Sequence, residues 1–143
     1  MRLEQVLARW AASAPSERPT DTPSDTPQAG EAIVSRRWTN EYGSVADLSV
    51  DGNRVSGTYT SAVGAGPGTL SGPISGFVRG DIVAFEVLWP GPMRSITSWV
   101  GQVVDVNGVS ELRTLWHLIV DIPDSEEAAG LWATVHTGAD TFR

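Results

Sequence analysis

The chain has 143 residues, six tryptophans, no cysteine and a formal net charge of −7, and 41% of its residues are hydrophobic. That is enough for one domain with a single core and too apolar for compositional disorder. Ten basic residues against 17 acids leave no surplus for phosphates, which argues against a nucleic-acid partner, and the missing cysteines exclude disulfides, thiolate catalysis and Cys-ligated metals.

Leu3, Val6, Leu7 and Trp10 recur at helical spacing, so residues 1–14 are expected to form a short amphipathic helix. Glu4 and Arg9 interrupt any apolar leader, so no clear signal peptide is present, and no run is long enough to span a bilayer. Pro15, Pro19, Pro23 and Pro27 follow among Ser, Thr, Asp and Glu, and residues 15–32 read as an extended linker.

From residue 33 to residue 143 the pattern changes to short alternating strands, expected at about 35–41, 44–50, 54–62, 69–78, 81–89, 95–105, 110–120 and 131–137. Asp51-Gly52-Asn53, Arg79-Gly80-Asp81 and Asn107-Gly108 carry tight-turn chemistry. The intervening connections, at Glu41 to Gly43, Val63 to Gly68, Pro90 to Arg94 and Asp121 to Gly130, are irregular. With no crossover helix between strands, the expected fold is all-β: an eight-stranded antiparallel up-and-down barrel that holds one small ligand. Connections alternate between the two ends of such a barrel, so the irregular loops share one open rim and the tight turns close the other.

Residues of one parity share a face of a strand. The inward sets are Ser44, Ala46, Leu48 and Val50; Val55, Gly57, Tyr59, Ser61 and Val63; Val83, Phe85, Val87 and Trp89; Ser95, Thr97, Trp99 and Gly101; and Leu112, Thr114, Trp116 and Leu118. These sets are apolar except near the open rim, where Asn40, Ser44, Tyr59, Ser61, Ser95 and Thr97 gather with Trp89, Trp99 and Trp116. Unpartnered, each buried polar group would cost about 1–3 kcal/mol. Such groups satisfy one another, or they meet a small ligand with a polar head and an apolar body; their number, from five strands, favours the ligand. Trp38 is assigned to the core.

Five strings then resemble the avidin and streptavidin family, in family order over about 110 residues: Arg37-Trp38-Thr39-Asn40-Glu41-Tyr42-Gly43-Ser44, Gly57 to Gly64, Thr97 to Gln102, Arg113 to Leu118, and Trp132 through Gly138-Ala139-Asp140-Thr141-Phe142. The resemblance implies tight non-covalent binding of biotin. By the family's pattern Asn40, Ser44 and Tyr59 donate to the ureido oxygen, and Ser61 and Asp140 accept from the ureido N–H groups. Thr97 faces the thioether sulfur, and Trp89, Trp99, Trp116 and Leu118 wall the bicycle. Ser95 and the backbone around Ala65 meet the carboxylate, Val63 and Gly64 belong to a lid loop, and Trp132 reaches into the pocket of a neighbouring subunit. Asp140 is expected to reach the ligand from the cavity floor.

The resemblance further implies a homo-oligomer, with a tetramer as the default and the disulfide-bearing dimeric branch disfavoured by the absence of cysteine, and an extracellular location. Four departures stand out. Tyr42 lies beside the ureido pocket where the family commonly has an aliphatic residue, and the Pro90 to Arg94 loop is short. Ala65 offers no side-chain amide, and His117 replaces an apolar residue on the outward face. The alternatives are a lipocalin-like carrier of another small molecule, or a degenerate avidin-like module that binds a peptide or its own N-terminal segment. An enzyme is disfavoured, because His117 and His136 form no triad or metal cluster with the inward residues. No cofactor motif and no metal site is found.

Overall fold

The computed structural model describes residues 2–13, 34–62, 70–92 and 94–143; the expected 15–32 linker lies outside them. Helix α1 covers Leu3–Ser13, with Leu3 and Leu7 exposed. Eight strands follow: β1 (Arg37–Thr39), β2 (Val45–Asp51), β3 (Arg54–Ser61), β4 (Leu70–Arg79), β5 (Ile82–Trp89), β6 (Ser95–Val106), β7 (Val109–Val120) and β8 (Val135–Phe142). They pair antiparallel in chain order as one eight-stranded sheet. Its edges meet where Asn40 bridges Phe142 and where Thr39 and Arg143 exchange backbone hydrogen bonds of 2.9 and 2.8 Å. This is the up-and-down barrel expected from the strand periodicity.

Turn chemistry sets the closed end. In the β6–β7 hairpin Asn107 and Gly108 adopt φ of 55° and 81°. Positive φ at both central positions gives a turn whose twist matches the flanking strands, and Asn-Gly is the pair that tolerates it at least strain. Along β5 burial alternates residue by residue, with Val83, Phe85 and Val87 buried and Ile82, Ala84 and Glu86 exposed. The core joins these to Trp38, Ala46, Leu48, Val55, Ile74, Val78, Leu112 and Phe142. Trp38 is fully buried, and its indole N–H donates to the Val34 carbonyl at 2.9 Å.

The last strand departs from expectation. Residues 131–134 are not strand: Glu127–Gly130 forms a short helix, α2, and Leu131–Thr134 a 3₁₀ turn, closed by the Thr134 hydroxyl donating to the Leu131 carbonyl at 2.7 Å. Strand β8 therefore starts four residues late and runs on to Phe142. The register with β7 decides this, since Val135 pairs with Ile119 and Phe142 with Leu112. A propensity reading of Leu131-Trp132-Ala133-Thr134 contains no information about that cross-strand partner.

Candidate functional site

The β1–β2 loop is built around Asn40. Its side-chain carbonyl accepts the backbone N–H groups of Tyr42 at 3.0 Å and Ser44 at 2.8 Å. An asparagine that captures the backbone two and four residues on folds the loop locally, and its amide NH₂ remains as a donor. The Ser44 hydroxyl accepts the Ala62 N–H at 3.0 Å and also pairs with the Tyr59 hydroxyl. Asn40, Ser44, Tyr59 and Ser61, from the loop and from β3, are all buried.

Across the barrel interior, Asp140 pairs with Thr114 in the β7–β8 register, one inward row above the floor residues Leu112 and Phe142. Asp140 therefore lies low on β8, two residues before the end of the strand and near the closed rim. Its Oδ2 accepts the Trp99 indole N–H at 2.9 Å, and Asn40 and Trp116 also donate to it. Burial holds Asp140 above the usual carboxylate range and the Glu41 charge adds to this, while the three donors pull the other way. Burial pushes the Tyr59 hydroxyl up to about 12, with Asp140 and Glu41 adding to it against the Ser44 hydrogen bond. Tyr59 is therefore a neutral donor across the ordinary pH range.

Aromatic rings fill the wall. Tyr59 stacks on Trp99 with centroids 4.8 Å apart, and Trp99 stacks on Phe85 at 5.2 Å. Trp89 meets Tyr59 edge-on at 5.6 Å and donates from its indole to the Thr97 hydroxyl at 2.8 Å. Trp116 and Leu118 are half-buried on β7, and Ser95 is half-buried opposite Trp89. Trp116 lies against Gly138, where a Cβ would stand 2.5 Å from its ring.

Three expected site residues, Val63, Gly64 and Ala65, lie outside the described residues. Two others stand apart from the cavity within one subunit. The Tyr42 side chain is 66% exposed at the rim, and Trp132 on the 3₁₀ turn is 87% exposed. Among the described residues no buried side-chain nitrogen or oxygen lacks a hydrogen-bond partner. The polar groups at the open end therefore satisfy one another, and desolvation alone does not demand a ligand. What the arrangement offers is a prepaid constellation, in which a ligand exchanges partners with groups already held in place. Glu41, Phe85, Thr114 and Gly138 support this constellation and were not singled out as site residues. Inward parity was the available signal for Phe85 and Thr114; Glu41 carried only its position next to Asn40.

The chain matches the family model "Avidin family" over residues 28–143. A rhizavidin–biotin complex is 34% identical, covers 76% of this chain and 88% of that one, and superposes with a TM-score of 0.60. A shwanavidin variant in complex with biotin is 29% identical over 76% and 93% of the two chains, also at 0.60. Xenavidin is 25% identical over 78% and 97%, at 0.67. A comparison with curated proteins gives no match. With a family model spanning most of its length and an eight-stranded barrel that superposes on these structures, the chain belongs to the Avidin family.

Proposed function

We propose that this chain is a biotin-binding protein, not an enzyme, and that biotin enters the open end of the barrel. The observation that carries the reading is the convergence of Asn40, Ser44, Tyr59 and Asp140 in the barrel interior, beside the rings of Trp89, Trp99 and Trp116. Biotin complexes of two relatives support the choice of ligand. In this scheme Asn40, Ser44 and Tyr59 donate to the ureido oxygen, and the fixed donors stabilise negative charge there as an oxyanion hole does. Ser61 and Asp140 accept from the two ureido N–H groups, and Thr97 faces the sulfur. Trp89, Trp99, Trp116 and Leu118 enclose the bicycle. Ser95, with the backbone at Ala65, receives the carboxylate, while Val63 and Gly64 belong to the lid and Tyr42 borders the ureido pocket.

Assembly completes the site in the same proposal. The outward face of β5 to β7 presents Leu88, Ile96 and Ile119 in one cross-strand row, and Val100 and Leu115 in another. Contiguous exposed apolar rows of this kind mark an interface, and a second copy of the chain covers them. Trp132, exposed on its own subunit, enters the pocket of a neighbouring one. A homotetramer and an extracellular location belong to this reading by family likeness. Calorimetry with biotin tests the whole: one site per chain with very slow release is expected, and no binding at micromolar protein overturns it.

A further inference from the structure

Glu41 has no role in the scheme above, yet it touches both halves of the polar end. It follows Asn40 in the β1–β2 loop, and its Oε2 accepts the backbone N–H of Thr141 at 3.0 Å. Thr141 follows Asp140 on β8. One side chain thus ties the loop that carries Asn40 and Ser44 to the strand that carries Asp140, across 100 positions of sequence. The tie sits where the barrel is held most sparsely. Among the described residues, backbone pairing at the closing seam amounts to the Asn40–Phe142 bridge and the Thr39–Arg143 pair, whereas β6 and β7 are paired from Ser95–Val120 to Val106–Val109.

We propose that Glu41 is a positioning residue: it latches the β1–β2 loop to β8, holding donor Asn40 and acceptor Asp140 in one constellation, and its charge sets how far into acid the ligand is retained. The groups around Asp140 are Trp99 from β6, Trp116 and Thr114 from β7, Tyr59 from β3, and Asn40 and Glu41 from the loop. Of these only Tyr59 and Glu41 carry ionisable side chains, and Tyr59, at about 12, keeps its proton. Glu41 is therefore the charged neighbour that acts on Asp140, and like charge opposes ionisation. Once protonated, Asp140 loses its charge and becomes a weaker acceptor for a ligand N–H. Because Glu41 is exposed, its charge effect is screened and should shrink in high salt.

The inference rests on the biotin reading, and its test separates the two. Biotin dissociation is measured on the full chain, from neutral into acid pH, for the parent, Glu41→Gln and Glu41→Ala. Glu41→Gln keeps an acceptor for Thr141 without the charge; release about twofold faster at neutral pH is expected, with the acid-release midpoint moved to lower pH. Glu41→Ala loses the latch, and release about tenfold faster is expected. Parent-like release in Glu41→Ala, or Glu41→Gln as fast as Glu41→Ala, overturns the latch. An unmoved midpoint in Glu41→Gln overturns the charge role. NMR on the unliganded proteins provides an arm independent of biotin: faster exchange of the Thr141 amide in Glu41→Ala, and titration of the Asp140 carboxyl at lower pH in Glu41→Gln. If those changes occur while the parent fails to bind biotin, the ligand assignment falls and the latch stands; if neither occurs, the latch falls.

Discussion

Tyr59 concentrates the chemistry of the site in one side chain. It stacks on Trp99, meets Trp89 edge-on and pairs with Ser44, and burial lifts its pKa from 10.0 to about 12. The folded state therefore holds this proton where the unfolded chain has lost it. The linked stability is fully present below pH 10 and drains away as pH rises toward 12. Thermal melts of the parent should fall across that window, and Tyr59→Phe should lack this part of the fall while releasing biotin about tenfold faster at neutral pH, for want of one donor in a buried site. Gly138 makes a second residue-scale case. An added methyl would stand 2.5 Å from the Trp116 ring, and the opposing contact is the ring body with no flexible tip to move aside. Gly138→Ala should displace Trp116 and weaken biotin about tenfold, as positioning errors of this size do. Tryptophan emission and calorimetry would report the two effects separately.

At the level of elements, β8 carries Asp140, the proposed ureido acceptor, and its C-terminal end is held by charge. The Glu111 carboxylate on β7 accepts Arg143 through Nε at 2.9 Å and Nη2 at 2.6 Å, and accepts Arg113 through Nε at 3.1 Å. These hydrogen bonds, Arg143 first, keep Glu111 below the usual carboxylate range. A carboxylate shifted in that direction contributes stability above its ordinary pKa, here 4.5, and the contribution is lost as pH falls through the folded value. Glu111→Gln should therefore melt below the parent at neutral pH, with the difference closing in acid; circular dichroism melts across pH read this directly. The same element shows where a sequence reading stops. Gly138-Ala139-Asp140-Thr141-Phe142 was legible as a motif, but the strand boundary was not, because Leu131 to Thr134 has strand-like composition and only the pairing of Val135 with Ile119 excludes it from the ladder.

For the whole molecule the question is what covers the outer face of β5 to β7. Val100 and Leu115 are 61% and 64% exposed in adjacent strands of one row. Leu115→Asp is expected to lower the oligomeric mass seen by light scattering, since an unpaired carboxylate inside an apolar interface is strongly disfavoured. Trp132→Ala should leave the barrel's melting curve near that of the parent, because 87% of the residue is exposed, yet weaken biotin if a neighbour's pocket receives it. Unchanged affinity would remove Trp132 from the site.

Alternating hydrophobicity, Asn-Gly and Gly-containing turns and the absence of crossover helices are local properties, and they specify eight antiparallel strands in chain order, though not the bounds of the last one. Parity alone put Tyr59, Trp89, Trp99, Thr97 and Trp116 on the inward face, since side-chain direction in a strand has a period of two. Three things depended on tertiary structure. The depth of Asp140 followed from the β7–β8 register, and the mutual satisfaction of the polar groups followed from distances between strands far apart in sequence. The contact from Glu41 to Thr141 joins the first loop to the last strand. Periodicity specifies which face a residue occupies, but barrel closure decides which residues of that face meet, because closure brings the two ends of the sheet together and no local pattern encodes that distance.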